Sequence, residues 1–283
     1  MMRPISLVTL NIRNGRACDG ANSWLFRRRW VPEYIRSLDA DAVGLQEAYH
    51  NQVVAVEKAL PGYVRVGVGR DDGKKAGEFC PIYVRTSRLR VLERGTFWFS
   101  DTPAVPGSCT WGNTLPRICT WALLSAMDET DGMERTLLRL CNVHLDHASA
   151  NARIRSAGLL LERIAAWKET SPVVVMGDLN AGEQDPALAT LLQVSVGLRD
   201  TFRAVHPDAA QAGTFHAWDG RTDGAKIDYI LATPDITVLE AAIPHDTVRG
   251  RLPSDHWPVT ALVWIGYAGA KRSSAPDQTP RRR

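Results

Sequence analysis

Strand-length apolar runs that stop abruptly at acids, amides or histidines constrain this chain more than any other feature. Leu7-Val8-Thr9-Leu10 stops at Asn11, and Val43-Gly44-Leu45 stops at Gln46-Glu47. Leu140-Cys141-Asn142-Val143 stops at His144-Leu145-Asp146, and Val173-Val174-Val175-Met176-Gly177 at Asp178-Leu179-Asn180. Lys226-Ile227-Asp228-Tyr229-Ile230 carries its acid inside the run, and Pro253-Ser254 leads into Asp255-His256. Runs of this length without alternation read as strands buried on both faces. An acid on such a strand is expensive unless it is paired or metal-bound. One such acid is commonly a cap or an ion pair. Six polar stops in one chain point to a shared site at the strand ends, where layered α/β folds build their sites.

The rest of the chain fits that pattern. Further strands are expected over residues 63–68, 79–84, 89–99, 118–126 and 135–143, the last two flanking the turn-rich acidic stretch Asp128 to Gly132 as a hairpin. The final strands are expected at 227–232, 236–242 and 259–264. Helical spacing marks Trp24 to Leu38, Gln52 to Leu60 before Pro61-Gly62, and Ser149 to Trp167, where Ile154, Ala157, Leu160, Leu161 and Ile164 recur at three and four residues. Strands with interspersed helices and hairpin-like neighbours indicate a layered α/β (α+β) fold rather than an all-parallel sheet. Neither G-x-G-x-x-G nor G-x-x-x-x-G-K-[ST] occurs, which argues against a dinucleotide or P-loop site.

Length and charge narrow the partners. At 283 residues the chain has room for one large domain or two small ones. Its longest apolar runs are too short to cross a bilayer, and Asn11 and Arg13 arrive too soon for a signal-peptide core. A cytoplasmic protein without membrane insertion is expected. Five cysteines without a C-x-x-C pair fit buried thiols in a reducing compartment. The formal charge is +3. Residues 267–283, read as a disordered tail, hold five basic residues and one acid, which leaves the body slightly acidic with 29 basic and 30 acidic residues. A duplex binder with a long footprint normally shows a basic face. The balance favours a nucleic-acid end, a nucleotide or another small phosphoester as substrate. It says nothing of oligomeric state.

The residue types indicate the chemistry. Glu47, Asp178 and Asp255 are hard oxygen donors that suit Mg²⁺, with Mn²⁺ as a substitute, better than Zn²⁺. A cation with carboxylates, amides and two histidines is a set for phosphoryl hydrolysis. Asn supplies neutral donors to phosphate, and a protonated His supplies a charge-assisted one.

Thr9-Leu10-Asn11-Ile12-Arg13, Leu45-Gln46-Glu47, Asn142-Val143-His144-Leu145-Asp146-His147, Gly177-Asp178-Leu179-Asn180, Ile227-Asp228-Tyr229 and Ser254-Asp255-His256 occur in an order that resembles the endonuclease/exonuclease/phosphatase superfamily, the deoxyribonuclease I-like group. The stretches Arg70 to Phe79 and Gly95 to Pro103 look like a bacterial subgroup related to its deadenylase-like branch. The resemblance implies a four-layer α-β-β-α sandwich of two mixed sheets, forming one catalytic domain over residues 1–266. It implies Glu47 as the main metal ligand with Asn11 and Asp255 nearby, and Asp178 as the residue that positions or deprotonates the attacking water. It also implies Asn180 as a donor to the phosphate, His256 as the catalytic histidine oriented by Asp228, and His144 as a second phosphate contact paired with Glu78. The expected reaction is hydrolysis of a phosphodiester by a nuclease or nucleotide phosphodiesterase. The alternatives are a phosphohydrolase of a small-molecule, lipid or sugar phosphoester, and a non-catalytic binding module on the same fold.

Neighbouring residues have plainer readings. Asp146 and His147 read as support near the cap of the helix from Ser149. Arg117 reads equally as a phosphate contact or a surface ion pair, and His216 as a substrate contact or a packing residue. Trp98, Trp111 and Trp218 are candidates for stacking on a base or sugar. Arg27-Arg28-Arg29 reads as a solvated face.

Overall fold

The computed structural model describes residues 3–127 and 136–265. The acidic stretch expected to join a hairpin and the basic tail lie outside them. Sheet one contains β1 (Ile5–Asn11), β2 (Ala42–Gln46), β3 (Tyr63–Val66), β4 (Ile82–Arg85), β11 (Ile236–Ala242) and β12 (Val259–Ile265). Its order is β11-β12-β1-β2-β4-β3. Sheet two contains β5 (Leu89–Trp98), β6 (Ile118–Ala126), β7 (Leu137–His144), β8 (Val173–Asp178), β9 (Arg199–Asp200) and β10 (Asp228–Ala232). Its order is β5-β6-β7-β8-β10-β9. Each sheet is mixed: β1 pairs parallel with β2, and β7 with β8, while the other pairings are antiparallel.

The two-faced burial of the central strands produces four layers. Leu7, Ala42 and Ile82 of sheet one meet Leu140, Val174, Met176 and Ile230 of sheet two in the central core. Successive residues of a strand face opposite ways, so Val173 and Val175 point outward. They pack with Leu160, Ile164 and Leu191 of α4 (Ala150–Trp167) and α5 (Pro186–Leu191). Val8, Leu10 and Leu45 likewise pack outward against α2 (Val31–Ser37) and α3 (His50–Ala59). Burying each such Val or Leu stabilises the fold by about 1.5–3 kcal/mol. The architecture is the expected α-β-β-α sandwich.

Local signals explain the element boundaries. Ser149 caps α4, its side chain accepting from the Ala152 amide. The stretch read as one helix from Trp24 to Leu38 is divided into α1 (Trp24–Arg27) and α2, which begins with Pro32 in its first turn. A proline there has no N–H to lose and favours a new helix start over continuation. Asp228 opens β10 rather than lying inside a strand. Phe79 and Cys80 precede β4, and Phe79 makes only isolated bridges to Ala48 and Gly69.

A buried amide network joins the two sheets near one end. Gln46 Nε2 donates to Thr9 Oγ1 at 2.9 Å and to Asn142 Oδ1 at 2.6 Å. Asn142 Nδ2 in turn donates to the carbonyls of Leu45 and Pro81, both at 2.9 Å. The sheets approach so closely beside it that a Cβ on Gly44 would stand 2.5 Å from Met176 Cε. Asn142 and Gln46 are thereby spent on the fold and not on the site next to them.

Candidate active site

Strand directions alone bring the polar stops together. Parallel β1 and β2 end side by side, with Asn11 beside Gln46 and Glu47 following. Parallel β7 and β8 end with His144 beside Asp178. Antiparallel β10 begins where β8 ends, so Asp228 lies directly across from Asp178. Antiparallel β12 begins beside the end of β1, and Ser254-Asp255-His256 enters just before it. Ser254 Oγ donates to the Asn11 carbonyl at 2.6 Å, fastening that segment to β1.

The ends form the floor of a cleft of about 550 Å³. Glu47, Glu78, Arg117, His144, Asp178, Asn180, Asp255 and His256 all line it. Three of the bends that aim side chains here adopt the left-handed region without glycine: Arg13 at φ 56°, Glu47 at 61° and Asn180 at 46°. Such conformations are held by surrounding structure and concentrate at functional sites. Gly177 has φ 139°, and a Cβ there would stand 2.0 Å from the Val143 carbonyl oxygen, so only glycine fits before Asp178.

His256 Nδ1 and Asp228 Oδ2 are 2.9 Å apart, and both residues are buried. Burial works against the imidazolium, but the charges of Asp228, Asp178 and Asp255 and the Asp228 hydrogen bond prevail and raise His256 to about 10. His256 is therefore a cation at neutral pH. Asp178 is pushed up to about 7 by burial and by Asp228. Its Oδ1 accepts from the Asn180 amide at 2.8 Å, and its Oδ2 from Asn11 Nδ2 at 2.9 Å.

His144 differs from expectation. Its Nε2 is 3.6 Å from Asp178 Oδ2, whereas its Nδ1 is 4.0 Å from Glu78 Oε2, beyond hydrogen-bond reach. That Glu78 oxygen instead accepts from Arg70 Nη1 at 2.5 Å. Burial, then the nearby Arg117 and Arg70, push His144 well below the ordinary imidazole range. Only one of the two anticipated His–carboxylate pairs is formed, because a permanent guanidinium outcompetes a buried imidazole for Glu78. Burial pushes Glu78 itself up, against the pull of Arg70.

Asn11 ties the carboxylates of the site together. It presents its amide nitrogen to Glu47 Oε1 at 3.0 Å and to Asp178, while its oxygen accepts from the Arg13 amide at 2.9 Å. In this arrangement its nitrogen holds two carboxylates together, while its oxygen is engaged by the Arg13 amide. Glu47 Oε2 accepts from the Asn14 amide at 2.7 Å. Asp255 Oδ2 is 3.6 Å from Arg13 Nε. Burial, then proximity to Glu47, raises Asp255.

The donor set fits a hard divalent cation. Among the described residues, Asp178, Asp228 and His256 offer ligand atoms within 4.8 Å of one another. Asp228 Oδ1 is buried without a hydrogen-bond partner. Buried acids raised by one another are the groups a cation relieves. Glu47 and Asp255 line the same cleft floor as Asp178 and would hold the metal through oxygen.

Other expectations are corrected or divided. His216 faces away from the cleft. Its ring packs 4.4 Å from that of Trp257, and burial lowers it to about 4. Its backbone amide donates to the Asp255 carbonyl at 3.0 Å, so it supports the Asp255 segment. Alternation along the extended segment turns its neighbour Phe215 to the cleft instead, 37% exposed and 5.0 Å from the His256 ring. Arg117 makes a buried ion pair rather than a surface one, with Nε 3.1 Å from Asp146 Oδ2. Asp146 Oδ1 accepts from the Ala148 and Ser149 amides, the supporting role expected of it. Trp98 and Trp111 are buried and unavailable for stacking, while Trp218 lies under Arg27. Arg27 itself is wholly buried, not solvated. It donates to the carbonyls of Asn22, Ile12, Pro253 and Arg13.

Asn14, Phe215 and Ala225 are cleft residues that sequence reasoning missed, and Arg13 and Arg70, quoted within motifs, are given no role of their own by it. Their positions are tertiary, and nothing in their local sequence distinguishes them from loop residues.

Comparison with known proteins gives a consistent picture. Residues 8–256 match the Endonuclease/Exonuclease/phosphatase family. The chain is similar to the endonuclease/exonuclease/phosphatase from Bacteroides vulgatus, at 33% identity and a TM-score of 0.82 over 93% of this chain and 99% of that one. It is similar to a mannosyl-6-phosphatase of Bacteroides thetaiotaomicron, at 32% identity and a TM-score of 0.81 over 92% of this chain and 100% of that one. It shares its fold with D. rerio TDP2 complexed with single strand DNA product, at 20% identity and a TM-score of 0.70 over 93% and 99% of the two chains. No match is found among the curated proteins.

Proposed function

Given that this chain belongs to the Endonuclease/Exonuclease/phosphatase family and is a metal-dependent phosphoric ester hydrolase, we propose that it uses Mg²⁺ to hydrolyse a small phosphoester of the sugar-phosphate kind. The observation that carries the reading is Asp178 paired in register with Asp228, which holds the buried His256 beside it at the floor of the cleft. The cleft volume suits a small ligand better than a long polymer footprint. The similarity to a mannosyl-6-phosphatase supports a sugar as the esterified group.

In this reading Glu47 and Asp255 would hold the cation. When bound, it neutralises phosphate oxygens and the developing charge on the leaving oxygen. Asp178, with its raised proton affinity, orients the attacking water and takes its proton. His256, kept as an imidazolium by Asp228, donates a charge-assisted hydrogen bond to a phosphate oxygen. Asn180 donates from its side-chain Nδ2, whose other proton goes to the Leu145 carbonyl at 3.1 Å, and neutral His144 makes a second phosphate contact. The five free cysteines fit a cytoplasmic setting. No helix among the described residues is long and apolar enough to cross a membrane.

A second reading, a nuclease or nucleotide phosphodiesterase, is favoured by Phe215. Its exposed ring beside His256 offers a stacking surface to a base as readily as to a sugar.

The test is a substrate panel with Mg²⁺: hexose phosphates, bis-p-nitrophenyl phosphate, single-stranded RNA and DNA, and phospholipids, with His256→Ala as the blank. Turnover of hexose phosphates that the variant lacks supports the proposal. Turnover of nucleic acid alone overturns it in favour of the second reading. No turnover of any substrate sinks both.

A further inference from the structure

Two arginines in the cleft are under-used by the protein. Arg70 is 5% exposed and Arg117 is 3% exposed, so neither relies on bulk water. Arg70 gives Nη1 to Glu78, and the nearest other acid, Asp71, is 3.9 Å from Nε, too far for a hydrogen bond. Arg117 gives Nε to Asp146 and places Nη2 2.9 Å from His147 Nδ1. Arg70 Nε and Arg117 Nη1 are left buried with no hydrogen-bond partner, and so is His144 Nδ1. All three residues line the same cleft.

A buried N–H without an acceptor costs free energy that a ligand can recover. Guanidinium nitrogens donate and never accept, so the missing partner is an acceptor. A planar fork is best matched by the oxygens of a phosphate or carboxylate. The geometry separates this place from the reaction centre. His144 turns Nε2 toward Asp178 and Nδ1 toward Glu78, the carboxylate that Arg70 holds. The unpartnered donors therefore begin on the far edge of the imidazole from Asp178, next to the scissile phosphate but distinct from its partners His256 and Asn180.

We propose that Arg70 and Arg117 form a second anion subsite beside the Nδ1 edge of His144, and that the substrate carries a second phosphate or carboxylate near the phosphate that is hydrolysed. This rests on the phosphohydrolase reading and narrows its substrate to a doubly anionic phosphoester.

The experiment is calorimetric titration of the full-length protein at saturating Mg²⁺. The probes are alkanediol bisphosphates of increasing chain length, the matching ω-phosphoryloxy carboxylates, and simple alkyl monophosphates as reference. Varying the length removes any dependence on the spacing between the subsites. At least one doubly anionic length is expected to bind about tenfold or more tighter than its monophosphate. Whichever of the two series gains identifies the second group. The advantage should fall to about twofold or less in Arg70→Gln and Arg117→Gln, and also in Arg70→Lys, which keeps a charge opposite Glu78 but has no Nε. If no length gains more than about twofold in the wild type, or if the gain survives these substitutions, the proposal is overturned. Turnover of p-nitrophenyl phosphate by the same preparations separates the two claims. Turnover without a bisphosphate advantage removes the subsite and leaves the hydrolase. An advantage without turnover of any phosphoester supports the subsite and removes the hydrolase.

Discussion

Asp178 and Asp228 face one another across the antiparallel register of β8 and β10, buried together at the end of the sheet that opens into the cleft. Two carboxylates so placed cannot share their charge with water. One is matched by His256, and the other holds a proton more tightly than an ordinary aspartate. The polarity of the site follows: a cation from His256, a base from Asp178.

Asp228→Asn should therefore act through His256. Without the carboxylate, burial is opposed only by the charges of Asp178 and Asp255, and the imidazole pKa should fall from about 10 toward its ordinary value near 6.5. Imidazole NMR titration of the variant measures this directly. Turnover at pH 8 should drop by about 10²-fold or more. An unchanged His256 titration would show that Asp228 does not hold the charge.

Asp178→Asn and His256→Ala should each lower kcat by at least about 10²-fold while the folded circular dichroism spectrum is retained. Near-wild-type turnover by either variant would sink the proposed roles.

The acids also predict how metal and pH interact. Asp178 and Asp255 have folded-state pKa values raised above the ordinary 3.8, to about 7 for Asp178. A raised folded pKa adds stability that is full at low pH and is lost as pH rises through the folded value. His256, raised above 6.5, acts in the same direction. The metal-free protein should thus melt at a lower temperature at pH 8 than its other groups alone would dictate. Added Mg²⁺ should raise Tm more at pH 8 than at pH 5, where protons occupy the same oxygens. Glu47→Gln should weaken metal affinity by about tenfold or more, with activity partly restored by high Mn²⁺. Calorimetry and metal titration of activity check both; a Mg²⁺ shift independent of pH would count against these ligands.

Arg27→Met should destabilise the protein by about 2–4 kcal/mol, because the buried carbonyls of Ile12 and Pro253 and the partly buried ones of Asn22 and Arg13 lose their donor. Arg28→Ala, at an exposed neighbour, should stay within about 0.5 kcal/mol. Denaturant titration distinguishes them, and equal effects would contradict the clamp.

The contrast between Arg27 and Arg28 marks where sequence reading stops. Strands and their polar ends were legible because each signal is local: Val173 to Met176 is apolar on both faces, and Asp178 ends it. β6 and β11 begin and end where their apolar runs do. The short helices α5 and α6 (Thr201–Val205) escaped notice, since six and five residues are too few to show a period, although Asp185 and Asp200 cap them. Arg27 sits in a triplet of identical residues, and only its tertiary surroundings separate it from a solvated face. The same holds for Glu78, whose local motif is silent about which of two cations it meets.

The bond from Ser254 to the Asn11 carbonyl spans 243 positions of chain. Arg27 reaches Pro253 across 226. During synthesis the residues of β1 and β2 emerge long before the segment that carries Asp255 and His256. Contacts between such distant segments form late and slowly. A nascent chain on the ribosome accordingly carries Glu47 without the histidine and aspartate that complete the cleft. Hydrolytic competence arrives only when the last strand inserts beside the first, so the appearance of activity would time the closing step of folding.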